Sequence, residues 1–149
     1  VAVSSTLPVF AELLPLQTSV HMNRARCRQN LGRHREAAQD LTIVLALWRA
    51  ADKRMLEADP EMKEAEAKGL YTAMYLRAKA RLARGLLRQA SQDIKDALAL
   101  NPPQTTVKQL RELKTEVQNA QEEYRRVNSP LSKELAKVKI ALGGGPTIS

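Results

Sequence analysis

Apolar residues recur along most of this chain every third or fourth position, the period of a helix with one buried face. The pattern runs through residues 16–31, reaches a glycine at Gly32, and resumes from Arg35 through Leu47. A second run ends at Gly85, and a third extends from Arg88 to Leu100 before Asn101-Pro102-Pro103 stops it, since proline lacks a backbone donor and restricts the residue before it. Alternating patterns of the strand type are absent, and the composition agrees: Ala, Leu, Arg, Gln and Glu abound, with only six glycines and five aromatic residues. An all-α fold is predicted.

The helical runs are copies of one another at an offset of 53 residues. Arg24-Ala25-Arg26-Cys27-Arg28 aligns with Arg77-Ala78-Lys79-Ala80-Arg81, Gly32 with Gly85, Ala37-Ala38-Gln39-Asp40-Leu41 with Ala90-Ser91-Gln92-Asp93-Ile94, and Leu45-Ala46-Leu47 with Leu98-Ala99-Leu100. Each copy reads as a helix hairpin with glycine stopping its first helix. Ala25 and Ala37, like Ala78 and Ala90, allow close helix approach, while Leu41, Leu45, Ile94 and Leu98 fill the space between hairpins.

These residues resemble the tetratricopeptide repeat, a helix pair of 34 residues. The family's small residues, turn glycine, bulky residue and closing proline match Ala78, Gly85, Ala90, Ile94, Ala97 and Pro102; the earlier copy offers Ala25, Gly32, Ala37, Leu41 and Val44 but has Arg49 in place of the proline. The resemblance implies an antiparallel helix-hairpin array, an α-solenoid, with two repeats over residues 16–103. The nineteen residues by which the offset exceeds one repeat form an insertion at about 48–68, expected as two lengthened helices that project as an antiparallel pair around a turn at Asp59-Pro60. Residues 1–15, punctuated by Pro8 and Pro15, are expected to be the remnant of a preceding repeat or a cap. Residues 104–142 are expected to form two capping or coiled-coil-like helices. The first is N-capped by Thr105 or Thr106 and carries Leu110, Leu113, Val117, Ala120, Tyr124 and Val127; the second starts at Asn128-Ser129-Pro130 and carries Leu131, Leu135, Val138 and Leu142. A flexible tail follows at 143–149.

Composition narrows the chemistry. A single cysteine, Cys27, allows no internal disulfide and points to a reducing compartment such as the cytosol, and with two histidines it makes a poor zinc set, so no metal or cofactor is expected. No apolar stretch approaches the roughly 20 residues that cross a bilayer. Gly143-Gly144-Gly145 lacks the Lys-Ser or Lys-Thr of a phosphate loop. Cys27 has no orienting triad with His21 or His34, and the carboxylates clustered in the insertion and the capping helix are spaced for helix-surface ion pairs, so no catalytic residue is expected. The chain does not begin with Met, and Val1 reads as the start of a fragment or processed protein.

The net charge of +8 favours acidic partners. Ten of the cations lie in two blocks, Arg24, Arg26, Arg28, Arg33 and Arg35, then Arg77, Lys79, Arg81, Arg84 and Arg88, but with Tyr75 as the sole interleaved aromatic an RNA-binding helical repeat is the lesser alternative. The resemblance implies a groove lined by the first helix of each pair, with Asn23, Arg26, Gln29, Asn30, Tyr75 and Lys79 as candidate contacts to an acidic segment or a neighbouring subunit. The nearest style is that of large immunophilins and other heat-shock co-chaperones, which clamp the terminal carboxylate of a chaperone tail; Asn23 matches the clamp asparagine, but Thr72 and Leu76 stand where its Lys and Arg belong. The expected function is therefore a non-catalytic interaction scaffold, either free-standing or as a structural subunit of a larger assembly, with a co-chaperone adaptor as the alternative.

Overall fold

The computed structural model describes the backbone of residues 2–143 and the side chains of residues 13–143. Six helices make up this part: α1 (Ala2–Asn30), α2 (His34–Ala50), α3 (Lys53–Ala58), α4 (Pro60–Ala83), α5 (Leu87–Leu98) and α6 (Gln104–Ala141). No strand occurs among the described residues. Each long helix packs chiefly on its chain neighbours. α1 and α4 also touch, as do α4 and α6, so that α1, α4 and α6 form one layer and α2 and α5 the other.

Both hairpins turn in the same way because both carry glycine at the same place. Gly32 and Gly85 adopt φ of 76° and 73°, a left-handed geometry that a Cβ would strain. The residue after each glycine donates back over five residues, Arg33 N–H to the Arg28 carbonyl at 2.7 Å and Leu86 N–H to the Arg81 carbonyl at 2.8 Å. These bonds satisfy carbonyls that the helix ends would otherwise leave unpaired. Beyond the turns, Ala25 and Ala37 in one hairpin and Ala78 and Ala90 in the other are fully buried. Small side chains here let the paired axes come together, and Leu41, Leu45, Ile94 and Leu110 pack around them as one core.

Three expectations are corrected. The insertion does not project as a helix pair. α2 ends at Ala50, Ala51 is extended, Asp52 caps the short α3 by accepting from the Arg54 N–H, and Asp59 caps α4 by accepting from the Glu61 N–H. The chain bends there because the segment's apolar residues have somewhere better to go: Trp48, Leu56 and Met62 are buried in the common core, and α3 lies along α4. This segment is part of the fold, and its excision would take Leu56 and Met62 out of the core.

The second correction concerns prolines. α1 runs without interruption through Pro8 and Pro15, and α6 through Pro130, so the expected boundary at residue 15 and the expected second C-terminal helix at Asn128 do not exist. A proline removes one hydrogen bond from a helix, and the bonds on both sides of it carry these long helices across the gap. Asn128 is an internal residue of α6 and donates through its side chain to the Tyr124 carbonyl. Third, α6 begins at Gln104 after Pro103 with no side-chain cap, so neither Thr105 nor Thr106 serves as its N-cap. The side chains of residues 1–12, on which the expected cap depends, and residues 144–149 of the expected tail at 143–149 lie outside the described residues.

Candidate functional site

Four arginines of the two cationic blocks are engaged by buried carboxylates. In the first hairpin Asp40 is buried one turn past Ala37, and two arginines a turn apart on α1 reach it: Arg24 through Nε at 3.0 Å and Nη2 at 2.5 Å to Oδ1, and Arg28 through Nη1 at 2.8 Å to Oδ2. The second hairpin repeats the arrangement residue for residue. Arg77 donates to both oxygens of buried Asp93 at 3.0 and 2.7 Å, and Arg81 donates to Oδ2 at 2.7 Å. Arg77 also bonds Thr42 Oγ1 at 3.2 Å, joining the second hairpin to the first. Burial alone would raise the Asp40 carboxyl, but the hydrogen bonds and charge of Arg24, then those of Arg28, outweigh it and hold its pKa below the ordinary carboxylate value. Asp40 and Asp93 lie outside the carboxylate clusters expected in surface pairs and serve as buried acceptors.

With these four arginines bonded to buried carboxylates and Arg33 paired to Glu36, the cations left on the layer formed by α1, α4 and α6 stand out. Among the described residues neither Arg26 nor Lys79 has a carboxylate partner within 4 Å; Arg26 reaches only Asn23 Oδ1, at 3.4 Å. Both line an open groove of about 530 Å³. Arg26, Gln29 and Asn30 come from α1, His34 from the start of α2, Lys79 from α4 and Glu116 from α6, over a floor of Leu76, Leu82 and Leu113. Glu116 is the one acidic residue of this lining. His34 Nδ1 is buried there without a hydrogen-bond partner.

A second hollow of about 430 Å³ adjoins it and shares Arg26. Asn23, Thr72, Lys68, Trp48 and Gly69 line this one. The structure therefore brings four of the six candidate residues, Arg26, Gln29, Asn30 and Lys79, to one groove and places Asn23 in the neighbouring hollow. Tyr75 lines neither. It is half-buried beneath Lys79, whose Nζ stands 5.6 Å from the ring centroid, within cation–π range. Burial, and then the charges of Glu116 and Glu112 on α6, push the Tyr75 hydroxyl pKa upward. Tyr75 thus steadies Lys79, which stands over one face of its ring.

Two clamp positions of the co-chaperone style are also placed. Leu76 is 8% exposed and belongs to the core, and Thr72 is half-buried. Cys27 is exposed, whereas His21 faces Asp40, its Nδ1 3.9 Å from the carboxylate. No group of three or more His, Cys, Asp or Glu side chains suited to a metal occurs among the described residues, and no helix among them is long and apolar enough to cross a membrane.

Comparison with known proteins finds no matching family model, no similar curated protein and no similar solved structure. The helical architecture stands on the coordinates alone.

Proposed function

We propose that this chain is a non-catalytic helical-repeat scaffold of the tetratricopeptide type, working in a reducing compartment such as the cytosol. Its α1–α4–α6 groove holds an acidic segment of a partner protein. The observation that carries this reading is the selective use of charge. Four arginines are spent on Asp40 and Asp93, while Arg26 and Lys79 are left facing a groove with an apolar floor. Exposed cations of this kind contribute little to folding yet attract acidic ligands and set their orientation.

The test is anisotropy titration of labelled peptides, acidic, neutral and basic, against the unmodified chain and an Arg26→Glu/Lys79→Glu variant. We expect acidic peptides to bind best, with affinity falling as salt rises and falling about tenfold or more in the variant, each lost charge contact being worth up to about 1 kcal/mol. Equal binding of all three classes, or affinity indifferent to the double reversal, overturns the groove assignment.

A co-chaperone adaptor is the alternative, and Leu76 speaks against it: an arginine there would bury its charge in the core. A peptide ending in Glu-Glu-Val-Asp should bind no better than other acidic peptides. The RNA-binding alternative draws little support, because four of the ten cations in the two blocks are engaged by Asp40 and Asp93 and the one interleaved aromatic, Tyr75, lies under Lys79.

A further inference from the structure

α6 is covered along its first half and bare along its second. Leu110, Leu113 and Val117 are at most 4% exposed where the helix lies against α5, its main neighbour. Farther along, Tyr124, Val127, Leu131, Leu135, Val138 and Leu142 are 50–79% exposed. At about 100° per residue these six fall within an arc of about 80° centred on the direction of Leu113, so the bare stripe continues the face that α5 covers. The stripe is about 27 Å long and presents on the order of 700 Å² of mainly apolar surface, close to the roughly 800 Å² per partner of a stable protein interface. A continuous patch of that size is more than a monomer ordinarily leaves in water.

We propose that the occupant is the same segment of a second copy of this chain, running antiparallel across a twofold axis. The spacing of the stripe supports a self-complementary pairing. About a centre between Leu131 and Leu135, which face each other, Tyr124 meets Leu142, and Val127 falls within one residue of the position opposite Val138. A twofold interface requires this kind of pairing, because one patch must serve as its own complement. Steric arrangement selects the direction. Since the covered and bare halves share one face, a parallel partner helix extended toward its own body would enter the space held by α5. An antiparallel partner carries its body outward, beyond Leu142. The inference is independent of the groove, which lies on other residues.

Charge separates this occupant from an acidic partner helix. Residues 122–142 carry Arg125, Arg126, Lys133, Lys137 and Lys139 against Glu122, Glu123 and Glu134. Two copies therefore bring like net charge together, and screening by salt strengthens their association, whereas an acidic partner would be weakened.

The experiment is sedimentation equilibrium of the full chain from about 1 to 100 µM, with a disulfide test of orientation. The unmodified protein is expected to approach twice the chain mass of 16.6 kDa, more readily at higher salt. A Leu131→Glu/Leu135→Glu variant is expected to remain at 16.6 kDa with unchanged thermal melting of the body, because both leucines are solvent-exposed in the single chain. With Cys27→Ser as background, an equimolar mixture of Leu131→Cys and Leu135→Cys chains is expected to form the mixed disulfide severalfold over either like pair. A monomer at 100 µM overturns the proposal, as does a dimer indifferent to the two glutamates or a preference for like-residue disulfides. Oligomers that persist in that variant but dissolve on Leu16→Glu/Val20→Glu, on the exposed face of α1, overturn it in favour of head-to-tail contact.

Discussion

Removing the Asp93 carboxylate should destabilise the protein more than removing Asp40, although the two occupy equivalent places. Asp93→Ala leaves Arg77 and Arg81 without the buried carboxylate they share, and deleting one member of a buried ion pair ordinarily costs about 3–5 kcal/mol because a charge is stranded. The stranded arginines recover part of that by turning to water, in proportion to how near water they already are. Arg77 and Arg81 are 12% and 22% exposed, against 48% and 24% for Arg24 and Arg28. We therefore expect a loss of about 3 kcal/mol for Asp93→Ala and about 1–2 kcal/mol for Asp40→Ala. Against a total of roughly 5–15 kcal/mol for a domain, the first is a large share. Urea unfolding followed by circular dichroism measures it. With a slope of about 2 kcal/mol per molar, the midpoint should fall by about 1.5 M for Asp93→Ala at unchanged slope. A companion variant, Arg77→Leu/Arg81→Met/Asp93→Ala, should recover much of the loss, since apolar packing can replace a buried charge cluster. The reasoning is refuted if Asp93→Ala costs less than about 0.5 kcal/mol, the scale of a surface pair, or if Asp40→Ala proves the more damaging.

Two other perturbations test different parts of the fold. A Cβ at Gly69 would lie 2.5 Å from Trp48 Nε1 and 3.0 Å from its Cε2, so Gly69→Ala should lower stability by about 1–2 kcal/mol despite alanine's better helix propensity; an unchanged thermal midpoint would mean that α2 and α4 are not this close. Acid should destabilise the first hairpin through Asp40. Its folded pKa is depressed, so the unfolded chain binds protons first as pH falls; the contribution is whole above about pH 5 and is lost as pH drops through the folded pKa. Urea midpoints between pH 7 and 3 should decline less steeply for Asp40→Asn than for the unmodified protein, and parallel curves would refute the assignment.

Much of the fold was legible because repetition reports itself. Residues paired at an offset of 53 locate both glycine turns and the four buried alanines at the helix contacts. The same offset held the charged clusters: Arg, Arg four residues on, and Asp twelve beyond that, at 24, 28 and 40 and again at 77, 81 and 93. Each charge, taken alone, reads as helix surface; only the packing of α1 on α2 turns Asp40 inward. Of the groove, the α1 and α4 residues could be named from repeat position. His34, Leu113 and Glu116 could not, since they reach the site by the docking of other helices, which no local pattern encodes. The proline positions misled for the opposite reason: a strong local rule was overridden by helices long enough to bridge the lost bonds.

Trp48 has a practical consequence. It is the sole tryptophan, it is 2% exposed, and its indole N–H is buried without an acceptor, pressed against Gly69. Indole emission moves to longer wavelength as surrounding dipoles and water relax around the excited state, so this residue should fluoresce well to the blue of tryptophan in water. The chain thereby carries an intrinsic optical reporter at the junction of α2 and α4. Its colour follows the wetting of that one corner, and its difference from the far-ultraviolet signal of the whole helical body would reveal whether the corner opens before the rest.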